Sequence, residues 1–245
     1  MPERAVKGAI NGMELEVPFG TTVLKAAEIL GIRIPTLCHH EGLPPWGGCR
    51  LCLSEIKGSL AASCMYPLRE DGFAVFTDTL RAREARSFVL SLFLTRAPKA
   101  PLIRKLAAEY GAEPFARSPL EADGCLRCGR CVRACQIQAS EAVSLAGRGS
   151  ERRVSPPFGK PPENCLGCLA CALICPAGCV PFKDDGVKRR IWEKDFELAP
   201  CPVCGKRTHT YEQLKFFGAD KPLCPQCQGR ATAEALKANE FVTEF

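Results

Sequence analysis

At 245 residues with 17 cysteines, the chain is long enough for two or three small domains and rich enough in thiols to raise the question of compartment. A secreted protein would turn such thiols into disulfides, but Met1 to Gly8 hold no apolar signal segment, so a reducing cytoplasm is expected. The longest apolar run, Phe88 to Leu94 broken by Ser91, is far short of the roughly 20 residues of a membrane span; the formal net charge of +6 counts every thiol as neutral and is no evidence for a nucleic-acid partner.

Residues 5 to 80 read as a small α/β module. Ala5–Ile10 and Met13–Val17 flank Asn11-Gly12, a two-residue hairpin signal. Thr21 or Thr22 can cap a helix whose apolar residues Val23, Ala26, Ala27 and Leu30 share one face, with Gly31 as its stop. A cysteine loop follows, then strand-like segments near Leu51–Lys57, Leu60–Cys64 and Phe73–Thr77. Hairpin, helix, metal loop and further strands is the order of a β-grasp ferredoxin.

The loop carries Cys38-x10-Cys49-x2-Cys52-x11-Cys64. Four cysteines with one tight pair suit a [2Fe–2S] cluster, although the first gap is longer than in plant-type ferredoxins, and zinc would also accept the set. His39 and His40 adjoin Cys38 and suit supporting or surface roles, since four thiols complete the site. Arg81 to Leu94 then reads as a helix with Phe88, Val89, Leu92 and Phe93 on one stripe, buried within the chain or against a partner. From Thr95 to Gly124 there is no Cys or His, and Pro98, Pro101, Pro114 and Pro119 punctuate a connection.

Residues 118 to 190 contain two runs of one spacing, Cys125-x2-Cys128-x2-Cys131-x3-Cys135 and Cys165-x2-Cys168-x2-Cys171-x3-Cys175-Pro176. Two-residue gaps let backbone N–H groups turn toward the sulfurs around a cube of iron and sulfide, and in two-cluster ferredoxins the fourth Cys of each run serves the other cluster. Crossing assigns Cys125, Cys128, Cys131 and Cys175 to the first [4Fe–4S] cluster, and Cys165, Cys168, Cys171 and Cys135 to the second. The repeat implies a βαββαβ unit. The charged loop Gly147 to Pro162 between its halves reads as solvated or partner-facing.

The tail carries Cys201-Pro-Val-Cys204 and Cys224-Pro-Gln-Cys227, the spacing of a zinc ribbon, with rubredoxin-type iron as the competing occupant. His209 could replace one thiol but is not needed. A closed structural zinc site is expected to leave the upstream clusters undisturbed if it is lost. Ala231 to Ala238 reads as a short helix. Cys179, outside these groups, reads as a small buried thiol. Four centres of four thiolates, each near −2, bring the formal +6 to about −2.

Thr36-Leu-Cys-His-His through Gly47-Gly-Cys-Arg-Leu-Cys resembles the N-terminal [2Fe–2S] domain of the large iron–sulfur subunit of respiratory NADH dehydrogenase. The same domain occurs in diaphorase iron–sulfur subunits of NAD-linked hydrogenases and formate dehydrogenases. Cys125-Leu-Arg-Cys-Gly-Arg-Cys-Val-Arg-Ala-Cys-Gln, Gly147-Arg-Gly and Pro156-Pro-Phe-Gly-Lys resemble the two-cluster part of that family. The resemblance covers about residues 5 to 190. It implies an additional cluster held by one His and three Cys after the helix, which residues 95 to 124 cannot supply; the ribbon lies outside it.

The expected architecture is α+β: a β-grasp [2Fe–2S] domain at 1–80, a helical linker at 81–117 without cluster ligands, a two-[4Fe–4S] ferredoxin domain at 118–190, and a zinc ribbon with a short helix at 191–245. The resemblance implies an electron-transfer subunit relaying single electrons between a flavin/NAD(P) subunit and a catalytic subunit of hydrogenase or formate dehydrogenase type. There is no Gly-x-Gly-x-x-Gly fingerprint or P-loop, and no acid, base or nucleophile constellation stands out, so the chain is expected to be non-catalytic by itself. The alternatives are an iron–sulfur subunit feeding another reductase without an NAD(P) partner, and a zinc-rich interaction protein.

Overall fold

The computed structural model describes residues 4–117, 122–138, 140–219 and 222–238. β1 (Ala5–Ile10) and β2 (Met13–Pro18) form the expected hairpin, with Asn11 and Gly12 at φ 51° and 81°, the left-handed angles of a two-residue turn. α1 (Val23–Ile29) starts where Thr22 Oγ1 accepts the Lys25 N–H at 3.3 Å. β3 (Leu53–Ile56), β4 (Ser59–Ala62) and β5 (Phe73–Phe76) complete a five-stranded sheet of order β2-β1-β5-β3-β4, in which β1 and β5 run parallel. The sheet closes over α1 around Val6, Ile10, Val17, Val23, Leu24 and Val75.

α2 (Leu80–Arg96) begins with Thr79 capping the Ala82 N–H. Its buried line differs from the expected apolar stripe. Phe88 is 59% exposed, meeting Phe115 edge-on, whereas Ala82, Arg86 and Leu90 face inward. Arg86 sets this phase. Its guanidinium, 2% exposed, donates to the carbonyls of Leu53 and Thr77 at 2.6 Å each and to Tyr110 Oη at 3.3 Å. Those carbonyls lie at the start of β3 and just past the end of β5, and the arginine supplies what would otherwise be missing donors. The helix is thus bolted to the sheet by a charge.

Where the sequence suggested a proline-broken connection, α3 (Pro101–Tyr110) forms, with Pro101 in its first turn and Gly111 left-handed at its end. Its Ile103, Leu106 and Ala107 join Leu90 in a core that includes Leu37, Leu51, Leu126 and the side chains of Cys38, Cys49 and Cys128. The cysteine-free segment is therefore the apolar backing between two thiol sites. Pro119 lies outside the described residues.

α4 (Arg130–Ile137), β6 (Ser144–Ala146), β7 (Arg153–Ser155) and α5 (Ala170–Leu173) follow; β6 and β7 pair antiparallel and α4 lies against α5. β8 (Phe182–Asp184) pairs with β9 (Lys188–Ile191), which pairs with β10 (Lys194–Pro200) and then β11 (Arg207–Thr210). One antiparallel sheet thus runs through residue 190, from the end of the repeat into the tail. α6 (Tyr211–Phe217) starts with a Thr210–Gln213 capping box, and α7 (Pro225–Ala238) begins inside the second tail knuckle, earlier than the expected Ala231. The β9–β10 turn is Trp192-Glu193 at φ 53° and 61°, a left-handed pair that costs non-glycine residues about 1–3 kcal/mol each. No helix among the described residues is long and apolar enough to cross a membrane.

Arg86→Leu keeps an apolar side chain in place but strands two buried carbonyls. It should destabilise by about 2–4 kcal/mol, seen as a fall of several degrees in the thermal midpoint at roughly 2–4 °C per kcal/mol.

Candidate metal centres

Cys38, Cys49, Cys52 and Cys64 are all buried and converge at one edge of the first sheet. Cys52 and Cys64 sulfurs lie 3.3 Å apart, and the Cys38 N–H donates to Cys49 Sγ at 3.4 Å. The Cys38 thiol is drawn well below its ordinary range by Cys49 and then Cys64, with the backbone N–H groups of Cys49 and Gly48 adding to the effect. Hydrogen bonding to Cys38 and Cys52, with burial, pushes Cys64 the other way. A set that already favours partial deprotonation suits a cation bound through sulfur. His40 turns its Nδ1 to the Gly42 N–H at 3.1 Å within its own loop, and the His39 backbone carbonyl accepts from Arg130.

The second region repeats one local device. Residues two beyond Cys125 and Cys165, namely Arg127 and Gly167, are left-handed at φ 53° and 66°, and their N–H groups turn back to those sulfurs. Gly129 and Leu169, at φ 70° and 63°, similarly let the Arg130 and Ala170 N–H groups reach Cys128 and Cys168. These small concavities of N–H groups favour negative sulfur.

The fourth cysteine of each run lies with the other run. Cys125, Cys128, Cys131 and Cys175 line one cavity, and Cys135, Cys165, Cys168 and Cys171 line another. Cys135 Sγ accepts the Ala142 N–H at 3.1 Å and lies 3.2 Å from Ser140 Oγ. The N–H groups of Ala177, Gly178 and Cys179 converge on Cys175, which with the Cys179 thiol as the largest influence is held at about 5. Cys131 and Cys171 are each pushed up to about 12, chiefly by burial. Cys179 is half-buried at the rim of the first cavity, its sulfur 3.5 Å from that of Cys175 and hydrogen-bonded to that of Cys125. Eight soft donors in two walled groups, with N–H groups aimed at the sulfurs, fit sulfur-ligated iron clusters.

Two arginines of α4 tie these groups to the first. Arg133 donates to the carbonyls of Cys38, Pro44 and Gly129, stacking 5.8 Å over the Trp46 ring, and Arg130 donates to the His39 carbonyl. Both arginines lie between the ligand-spaced cysteines, in Cys128-Gly-Arg-Cys-Val-Arg-Ala-Cys135, and that interleaving of cations with thiols was the available signal. Cys38, Cys49 and Cys128 also share one apolar cluster.

In the tail, the sulfurs of Cys201, Cys204, Cys224 and Cys227 all lie within 4.8 Å of one another. That is the compact spacing of a single ion, since bonds of about 2.3 Å set tetrahedral sulfurs about 3.8 Å apart. His209 Nε2 instead meets the Leu223 carbonyl at 3.0 Å. The tail is welded to the Cys165–Cys168 loop. The Thr210 hydroxyl donates to the Leu166 carbonyl, and Arg189 donates to the Gly167 carbonyl at 2.8 Å. Lys194 donates to the carbonyls of Pro162, Glu163 and Cys165 at 2.8–3.3 Å. A Cβ at Gly167 would fall 2.8 Å from the Phe196 ring and 2.9 Å from the Thr210 methyl.

Arg133→Met removes donors to two carbonyls of the Cys38 loop. Charge-assisted bonds of this kind contribute about 1.5–3 kcal/mol, so amide hydrogen exchange over residues 38–46 should quicken by about tenfold or more while α1 is unchanged.

Residues 3–79 match the family model of a 2Fe-2S iron-sulfur cluster binding domain, and residues 124–179 that of a 4Fe-4S dicluster domain. An NADH-quinone oxidoreductase subunit of Rhizobium meliloti (strain 1021) is 32% identical over 229 residues, which are 82% of this chain and 27% of that protein. The NADP-reducing hydrogenase subunit HndD of Solidesulfovibrio fructosivorans is 32% identical over 203 residues, 69% of this chain and 34% of that protein. The chain thus spans about a third or less of these relatives. Among solved structures, a chain of the NAD+-reducing [NiFe]-hydrogenase in its H2-reduced state aligns with a TM-score of 0.54 at 28% identity, over 62% of this chain and 75% of that one. The chain is a mixed α+β iron–sulfur protein, built from a 2Fe-2S domain and a 4Fe-4S dicluster domain and homologous to subunits of NAD(P)-linked oxidoreductases.

Proposed function

We propose that the chain is an electron-relay subunit that holds one [2Fe–2S] cluster on Cys38, Cys49, Cys52 and Cys64 and two [4Fe–4S] clusters on the crossed sets. The first of these would use Cys125, Cys128, Cys131 and Cys175, and the second Cys165, Cys168, Cys171 and Cys135. Such clusters supply one-electron transfer when bound. The observation that carries the reading is the arginine clamp: Arg133 and Arg130 fasten the Cys38 loop to the helix that bears Cys131 and Cys135, so that two classes of thiol site form one body. The family resemblance of its motifs implies a flavin/NAD(P) subunit and a catalytic subunit of hydrogenase or formate dehydrogenase type as partners, and relatives that are subunits of NAD(P)-linked oxidoreductases are in keeping with this.

Cys175 is the better fourth ligand of the first set than Cys179, because three backbone N–H groups converge on Cys175. The tail thiols would hold one zinc, a closed four-thiolate site that shapes the protein and carries no electrons. Because Thr210, Arg189 and Lys194 hold the Cys165–Cys168 loop, this ribbon also supports the second cluster, which revises the expectation that it could be lost without upstream effect.

Protein purified without oxygen should contain about ten Fe, about ten acid-labile sulfides and about one Zn. Cys135→Ser should lose the second cluster with the first less affected, and Cys179→Ala should keep both; iron counts and EPR decide. Loss of four Fe in Cys179→Ala would overturn the choice of Cys175, and colourless protein carrying zinc alone would overturn the relay.

Cys204→Ser should lose the tail ion and make residues 196–245 protease-sensitive, because so small a module cannot bury a sufficient core without metal. Its second [4Fe–4S] signal should bleach faster in air than that of the unmodified protein, while the [2Fe–2S] signal is unchanged. A tetrahedral ferric–thiolate signal in the unmodified protein, abolished by the same substitution, would instead make the tail a rubredoxin-like centre.

A further inference from the structure

Trp192 opens the two-residue turn between β9 and β10, where it and Glu193 are both left-handed at φ 53° and 61°. The equivalent turn in the first hairpin is Asn11-Gly12, the residues that such a turn favours. A strained tryptophan at a hairpin tip calls for a compensating contact, and the ring provides it by turning inward. It packs among the core residues that include Cys131, Cys135, Cys165 and Cys171. It also lines both thiol cavities, that of Cys125, Cys128, Cys131 and Cys175 and that of Cys135, Cys165, Cys168 and Cys171.

The indole Nε1–H is shielded from solvent and has no well-formed hydrogen bond among the described residues. A buried donor of this kind is costly unless something accepts from it. Cys171 lines the second cavity together with the indole, and its thiol is the one on which the Trp192 N–H acts. The hairpin cannot easily swing away, because the adjacent Lys194 is fastened to the carbonyls of Pro162, Glu163 and Cys165.

We propose that Trp192 tunes the second iron–sulfur site: its indole N–H donates to sulfur at Cys171, and its ring partitions that site from the first. The inference rests on the two-cluster reading above. A hydrogen bond to ligand sulfur stabilises the more negative, reduced cluster and raises its reduction potential. The two ligand runs share their spacing and the N–H concavities at their first two cysteines, while Cys175 of the first set has three further N–H groups of its own. One indole N–H serves one site. Trp192 therefore raises the potential of the second cluster and leaves that of the first to its own donors.

The test uses the full chain, loaded and purified without oxygen, as Trp192→Phe and Trp192→His beside the unmodified protein. Trp192→Phe keeps a ring and removes the donor, whereas Trp192→His restores an N–H. Iron counts come first: unmodified protein without two [4Fe–4S] clusters refutes the relay reading itself. With both clusters present, Trp192→Phe should lower the reduction equilibrium constant of the second cluster about tenfold, which is about 59 mV for a one-electron couple. The first cluster should stay unchanged, and Trp192→His should recover part of the shift. Unmoved potentials in a fully loaded Trp192→Phe protein would overturn the proposal. If neither variant loads, pulsed EPR of the reduced unmodified protein in H2O and D2O decides. Indole-15N-labelled protein should show an exchangeable proton coupled to the second cluster on a nitrogen-bearing indole, and absence of that coupling would overturn the proposal.

Discussion

Four thiolates held within a few ångströms repel one another, and much of this fold is arranged to make their charge tolerable. Burial alone drives the thiols toward the neutral form, as at Cys131 and Cys171. Against that stand backbone N–H groups turned inward by left-handed residues after Cys125, Cys128, Cys165 and Cys168. Cations stand close by: Arg127 beside Cys125, Arg130 beside Cys128, Arg189 beside Cys168 and Lys194 beside Cys165. The excess of basic residues is, in part, counter-charge for these thiol sites.

The same cations give the molecule its continuity. Arg133 and Arg130 join the first thiol loop to α4, Arg86 joins the first sheet to α2 and α3, and Lys194 with Arg189 joins the tail sheet to the Cys165 loop. Each acts through backbone carbonyls, which every residue type offers. Partnerships of this kind leave little trace in the composition of the segment that accepts the bond.

That is also where the sequence was legible and where it was not. Asn11-Gly12, the Thr22 cap and the two cysteine runs are local signals, each fixed by a few adjacent residues, and the structure has them in place. The phase of α2 was not legible, because a charged residue rather than the apolar ones chose the buried face. α3 was obscured by prolines, one of which begins the helix. The boundary drawn at residue 190 followed the end of the repeat, but β9 and β10 pair across it through a turn whose residues give no turn signal. Trp192 is invisible to spacing arguments for the same reason: its neighbours at the thiol cavities lie far from it in the chain, apart from the adjoining Ile191.

The exchange of fourth cysteines between the two runs has a consequence for biogenesis. Neither cavity has its full wall until both halves of the repeat have folded against each other, since Cys175 closes the first and Cys135 the second. Half-built intermediates would offer three thiols and an open side. A nascent chain arrested before Cys175 would present a first site that can receive a cofactor only provisionally.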